Sequence, residues 1–430
     1  MEYANLLNEG YTPRLIERQI QEGIEDFGAV AIEGPKYCGK TWAAQAFSNS
    51  EVNLMDPAGN FQNLEVALLD PQALLQGESP RLIDEWQEAP LLWDGVRNAV
   101  DRSGKKSKFV LTGSSVPREF KPKHSGVGRI ERIRMRPMTL FESGESNGAV
   151  SLAALFEGKK PSASAPEPSL DTFCELVVRG GWPASIGMQP RRAAKIARNY
   201  VEELYKDDMS RVDGVKRDPE KISRLLHSLA RNAEQATTTK TMICDMTAID
   251  DKDRLAPDTV SDYLEALKKI YIIEEIGPWA PNLRSPIRIN KRPKYHFTDP
   301  SIPAAVLKAS VSALKNDLTT LGFLFESMCV RDILTYAQAN DGNVFYYRDQ
   351  ASLEADAIVE SADGQWAGIE VKLGHNKADD GAKSLKALRE KIVASGGTEP
   401  AFLAVVEGIG SYAYVRDDGV FVIPILTLTA

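Results

Sequence analysis

An α/β fold built on a parallel sheet is predicted for the first third of this 430-residue chain, with two further units behind it. Three observations lead there. Short apolar strands, FGAVAIEG, RLIDEW and KFVLTGSS, alternate with helical stretches. That alternation buries a parallel sheet between helices and puts its ligand at the strands' carboxyl ends. A Pro/Ser/Ala-rich piece, PSASAPEPS, then breaks the pattern, and a second run of strands starts after about Leu321. The boundaries read as 1–142 for the parallel-sheet unit, 143–170 for a linker, 171–310 for a helical region with a winged-helix-like end, and 311–430 for a C-terminal α/β unit.

Each element has its own signal. Thr12-Pro13 reads as a helix start, with Thr as N-cap and Pro at the first turn, and Leu15, Ile16, Ile20 and Ile24 recur at helical spacing. TWAAQAF reads as the opening of a helix. In the middle region, VSDYLEALKKI carries Val260, Leu264 and Leu267 on one face and is followed by two strand-like pieces, YIIEEIG and KYHFTD. A helix followed by a hairpin suggests a winged helix. At the C-terminal end, NVFYYRD, EADAIVES, QWAGIEVKLG, PAFLAVVEGIG and VFVIPIL read as strands, between helices at LGFLFESMCVRDILTYAQ and KADDGAKSLKALREKIVASGG.

Composition narrows the possibilities. The chain is 43% hydrophobic and 26% charged, as soluble globular proteins are. A formal net charge of −8 argues against a wholly basic nucleic-acid coat. No apolar run approaches the roughly 18–20 residues that span a bilayer, and the start, MEYANLLNEG, has no signal-peptide pattern. Cys38, Cys174, Cys244 and Cys329 form no CxxC pair and the four histidines are scattered, so neither a zinc site nor a disulfide framework is expected. A reducing cytoplasm is the expected compartment.

The strongest chemical signal is GPKYCGKT. Gly34, Gly39, Lys40 and Thr41 stand at the P-loop spacing G-x-x-x-x-G-K-[ST]. The glycines let backbone N–H groups wrap phosphates, Lys40 neutralises the β- and γ-phosphates of ATP, and the Thr41 hydroxyl binds Mg²⁺. RLIDEWQ delivers Asp84 and Glu85 at a strand end, a Walker-B arrangement in which Asp84 holds the magnesium and Glu85 orients or deprotonates the attacking water. At the exit of KFVLTGSS, Thr112, Ser114 or Ser115 is placed to sense the γ-phosphate or the water, or else forms a turn that satisfies its own backbone.

The order P-loop, IDEWQ, VLTGSS and GVGRIERIRMRPMTLFE, with the later RGGWPASI, resembles a prokaryotic family of AAA+-type ATPases fused to a C-terminal domain of unknown function. Gly180, Gly181 and Pro183 match that family's GG-x-P turn. Arg129 matches a recurrent Gly-Arg pair, which implies a phosphate-sensing arginine acting in cis or from a neighbouring subunit of a homo-oligomer. The P-loop interior, Lys36-Tyr37-Cys38, departs from the Arg-Gln-Val that members more often carry.

In the last unit, Glu326, Asp356 and Glu370-Val371-Lys372 resemble the PD-(D/E)XK nuclease fold. Asp356 and Glu370 on adjacent strands offer oxygen ligands to Mg²⁺, assisted by Glu326. Lys372, two residues beyond Glu370 and on the same face, is positioned to act on a scissile phosphate. Residues 281–294, PNLRSPIRINKRPK, hold Arg284, Arg288, Lys291, Arg292 and Lys294 without an acid, so they read as a basic wing for DNA or as a solvated hairpin. Two functions follow. One is an ATPase coupled to a nuclease-like or nucleic-acid-binding unit. The other is a nucleotide-dependent switch whose last domain is an inactive protein-interaction module.

Overall fold

The computed structural model describes residues 6, 8–104, 108–117, 125–209, 214–247, 256–282, 284–351 and 353–430. Strands β1 (Ala29–Glu33), β2 (Ser50–Asn53), β3 (Arg81–Asp84), β4 (Phe109–Gly113) and β5 (Ile130–Arg134) form one sheet in the order β2-β3-β4-β1-β5. All its pairings are parallel. Period-two alternation divides its side chains between two cores. Val30 and Ile32 pack with Ile20, Ile24, Ala43, Val110 and Ile133 on one side. Ala29 and Ala31 pack with Trp93, Val96 and Leu111 on the other. Full burial of each large aliphatic side chain contributes about 1.5–3 kcal/mol.

Helix α1 (Glu17–Asp26) begins later than Thr12-Pro13. The reason is tertiary. Arg14 is buried in an ion pair with Glu142, and the same carboxylate accepts the Leu15 N–H at 2.8 Å. Glu17 reaches back to the Arg14 N–H at 2.9 Å. These bonds hold residues 11–14 outside the helix. Helix α2 (Lys40–Gln45) follows the loop after β1, as expected.

In the middle region, helices Pro190–Glu203, Pro219–Arg231, Thr239–Met246 and Pro257–Lys269 enclose a core in which Val260, Leu264 and Leu267 are all buried. An antiparallel pair follows, Ile273–Ile276 with Lys294–Phe297. Its connection leans on the last unit: Trp279 N–H donates to Tyr346 O at 2.8 Å and Tyr346 N–H to Gly277 O at 3.0 Å.

The long helix Leu318–Ala339 leads into three antiparallel strands, Asn343–Arg348, Glu354–Glu360 and Trp366–Gly374. Helix Ala378–Ala394 then crosses to Phe402–Ile409, parallel to Trp366–Gly374. Segment 143–170, expected as a linker, is woven into this unit. Val150–Ser151 pairs with Leu428–Thr429, and Ala163–Ser164 with Tyr412–Val415. Val150, Leu152 and Leu155 are buried in the C-terminal core. The apolar spacing V-x-L-x-x-L ahead of the Pro/Ser stretch was the available signal. Among the described residues no helix is long and apolar enough to cross a membrane.

Candidate functional site

The sheet order puts β4 between the strand that ends in the P-loop and the strand that ends in Asp84. The loop after β1 is shaped by what cannot fit there. A Cβ on Gly34 would lie 2.1 Å from the Met135 carbonyl oxygen, so only glycine passes this point. Gly39 has φ +101, in the left-handed region, and leads directly into α2. Lys40 is 6% exposed and donates to the carbonyl of Pro35 in its own loop at 2.8 Å.

Asp84 is the hub. Its carboxylate accepts the Thr41 hydroxyl at 3.0 Å and the Thr112 hydroxyl. Burial pushes its pKa up, against those two hydrogen bonds and the Lys40 charge, and the neighbouring Glu85 adds to the rise. A hydroxyl and a carboxylate that face each other are hard oxygen donors, and a dication between them would offset the burial cost of the charge. The pair therefore fits Mg²⁺.

Glu85 sits at φ +60, which turns the chain sharply out of β3. Its N–H donates to Thr112 Oγ1 at 3.3 Å. Its carboxylate accepts Ser114 Oγ at 3.2 Å and the Gln87 amide. Ser114 thus reaches the catalytic candidate Glu85 from β4, while Thr112 locks the Walker-B turn.

Three contributors were not singled out from the sequence. Gln87 is one. Arg14 and Glu142 are the others. Arg14 donates to the Cys38 carbonyl of the P-loop at 2.8 Å, to the Arg136 carbonyl at 2.8 Å and to Glu142 at 3.0 Å. Burial would raise the Glu142 carboxyl, but Arg14 and two backbone N–H groups overcome this and hold it below its ordinary value. Arg14 and Glu142 lie 128 positions apart, so no local pattern announces the pair. Lysine cannot make this fork. Arg14→Lys is expected to weaken ATP binding about tenfold, the worth of one charge-assisted hydrogen bond. Nucleotide titration checks it, and unchanged affinity would remove Arg14 from the loop's support.

The GG-x-P turn joins the units. The Gly181 carbonyl accepts Met138 N–H at 2.7 Å, and Gly181 N–H donates to Asp299 at 2.8 Å. Asp299 is in turn held by Arg331 of the long helix at 2.9 Å. Pro183 borders Gly39 of the P-loop. The unusual P-loop interior also faces the middle region: Lys36 pairs with Asp208, and the Tyr37 ring meets Tyr200 edge-on at 6.0 Å.

Arg129 departs from expectation in cis. It immediately precedes β5, its carbonyl bonded to the N–H of Ala29 at the start of β1. The P-loop lies at the other end of β1, about 16 Å away at roughly 3.3 Å per residue. Arg129 instead pairs with Asp101 at the exposed sheet edge.

In the C-terminal unit, the pairing of Ala357 with Ile369 sets Asp356 across from Glu370. Asp356 accepts the Val371 N–H at 2.7 Å and lies 3.9 Å from Lys372 Nζ, which donates to Glu370 at 2.6 Å. Burial, then the Asp356 charge, pushes the Glu370 carboxyl up to about 8. Glu326 accepts from Lys294 at 3.0 Å. Asp356 and Glu370 thus come together beside Lys372, while Glu326 is held by Lys294. Among the described residues no group of three or more His, Cys, Asp or Glu is arranged to hold a metal ion. Lysines occupy the carboxylates instead.

The basic segment is corrected too. Arg288 pairs with Glu360 at 2.6 Å, Lys291 donates to the Arg348 carbonyl and Lys294 is 6% exposed. Three of its five cations are committed within the chain, leaving Arg284 and Arg292 at the surface.

Comparison with known proteins agrees with the P-loop geometry. Residues 26–143 match the family model of an AAA domain. Residues 170–315 and 321–428 match two domains of unknown function, DUF8612 and DUF4143. Uncharacterised proteins of Mycobacterium tuberculosis and Mycobacterium bovis are each 23% identical over 365 residues, covering 83% of this chain and 74% of theirs. Among solved structures, a Walker-type ATPase of Pyrococcus abyssi is 15% identical with a TM-score of 0.47, covering 70% of this chain and 98% of its own. The ORC2 protein of Aeropyrum pernix is 11% identical with a TM-score of 0.33, covering 74% and 99%. The first unit is an AAA-type P-loop ATPase domain.

Proposed function

We propose that this protein hydrolyses ATP with Mg²⁺ and passes its nucleotide state to a nuclease-like C-terminal unit. The observation that carries the ATPase half is the cluster Thr41–Asp84–Thr112, with Glu85 held beside it by Ser114. Lys40 leaves the Pro35 carbonyl for the β- and γ-phosphates. Thr41 and Asp84 hold the magnesium, which neutralises charge on the phosphates. Glu85 orients the attacking water. Arg129 lies before β5, at the end of the strands away from the P-loop, too far to assist its own nucleotide, so any contribution from it comes from a second copy of the chain.

The order helix, three antiparallel strands, helix, parallel strand supports the nuclease-like reading of residues 311–430, as does the convergence of Asp356, Glu370 and Lys372. Helices followed by the Ile273–Phe297 hairpin support a winged-helix reading of the middle, with its hairpin turned toward the last unit. A second reading, a switch with an inactive interaction module, is favoured by the intramolecular pairing of Arg288, Lys291 and Lys294. Metal removal tests the ATPase. Phosphate release from ATP by the whole chain is expected to fall at least about a hundredfold when EDTA exceeds Mg²⁺. Turnover that survives EDTA would remove the metal from the mechanism.

A further inference from the structure

Lys294 stands where two units meet. It belongs to the second strand of the middle hairpin, yet its ammonium lies 3.0 Å from Glu326 on the long C-terminal helix and 3.0 Å from Glu234 after helix Pro219–Arg231. Its side chain is 6% exposed and that of Glu234 1%. Glu234 also bonds His296 Nδ1 at 2.6 Å, within the same hairpin strand. Lys294, Glu234, Glu326 and Asp356 together line a cavity of about 290 Å³. A buried ammonium costs several kcal/mol unless opposite charges surround it, and the reverse holds for the acids. Removal of this lysine from the cavity leaves Glu326 and Asp356 facing each other without it.

We propose that Lys294 is a built-in counter-cation that locks the C-terminal carboxylate site: while it is seated between Glu234 and Glu326 no divalent ion enters, and the site takes one only when the hairpin withdraws. This rests on the nuclease-like reading of Asp356, Glu370 and Glu326. The hairpin has a path to the nucleotide. Glu274, on its first strand, takes Arg136 through two bonds of 2.8 and 2.7 Å. The Arg136 carbonyl takes Arg14, which also holds the P-loop carbonyl of Cys38. The same Arg136 reaches Gln338 of the long helix at 2.6 Å. The hairpin is thus tied both to the loop that must open around phosphates and to the helix that carries Glu326.

The test is Mn²⁺ titration by calorimetry and electron paramagnetic resonance on the whole, nucleotide-free chain, in an Asp84→Asn background that silences the P-loop metal site. Lys294→Met is expected to bind one Mn²⁺ at least about tenfold more tightly than its parent, with Lys294→Arg behaving as the parent. Adding Asp356→Asn should abolish the gain. If parent and Lys294→Met bind one Mn²⁺ equally, the lock is overturned while the metal-site reading stands. If neither binds Mn²⁺, the metal-site reading itself falls, and the lock with it. Should circular dichroism show Lys294→Met unfolded, Lys294→Gln, neutral but still a donor to both carboxylates, decides by the same comparison.

Discussion

Lys40→Ala protein is expected to keep its fold and lose measurable ATP binding. Lys40 contributes nothing that the sheet needs. Among the described residues its side chain bonds the Pro35 carbonyl of its own loop, and the core of this helix is reached through Ala43 and Ala44 further along α2. On the proposed reading the same ammonium would turn to the β- and γ-phosphates of a bound nucleotide. Charge-assisted hydrogen bonds are worth about 1.5–3 kcal/mol each, and two of them convert to roughly 10²–10⁴ in affinity at about 1.4 kcal/mol per tenfold. Calorimetric titration with ATP and Mg²⁺, alongside circular dichroism, makes the measurement. A folded Lys40→Ala protein with unaltered affinity would overturn the P-loop assignment.

What the sequence makes legible follows from the range of each interaction. The P-loop, Asp84, Glu85 and Ser114 are readable because strand ends and glycine spacing are local, and the parallel sheet then brings them together without further information. The strands of the last unit are readable for the same reason. The start of α1 is not, because Arg14 is taken by Glu142 from beyond the whole sheet. The linker reading of 143–170 gives way because Leu152 and Leu155 join a core shared by helix Leu170–Arg179 and the distant C-terminal unit. Composition gives the basic segment a sign and says nothing of its partners. Glu360, the Arg348 carbonyl and Glu326 engage Arg288, Lys291 and Lys294 from three separate elements and leave Arg284 and Arg292 at the surface. Arg129 fails in cis for a reason that spacing does not carry: it lies before β5, whereas the P-loop follows β1, and parallel pairing puts the two at opposite ends of neighbouring strands.

Glu85→Gln protein is expected to bind ATP about as tightly as the unaltered chain and to turn it over about 10²–10⁴ times more slowly, the range lost with a positioned general base. The backbone of the site does not depend on the carboxylate. The Glu85 N–H is held by Thr112, and Thr112 by Asp84, whatever side chain stands at position 85. The Thr41–Asp84 pair, proposed to hold the metal, is likewise untouched. Glutamine keeps the length and one acceptor oxygen for the Ser114 hydroxyl, so packing changes little. What disappears is the charge that draws a proton from water. Single-turnover hydrolysis, with nucleotide affinity measured in parallel, separates the two effects. Loss of affinity together with rate would assign Glu85 a structural part. An unchanged rate would mean that another group activates the water, and Asp84, whose burial already raises its proton affinity, would be the next carboxylate to replace.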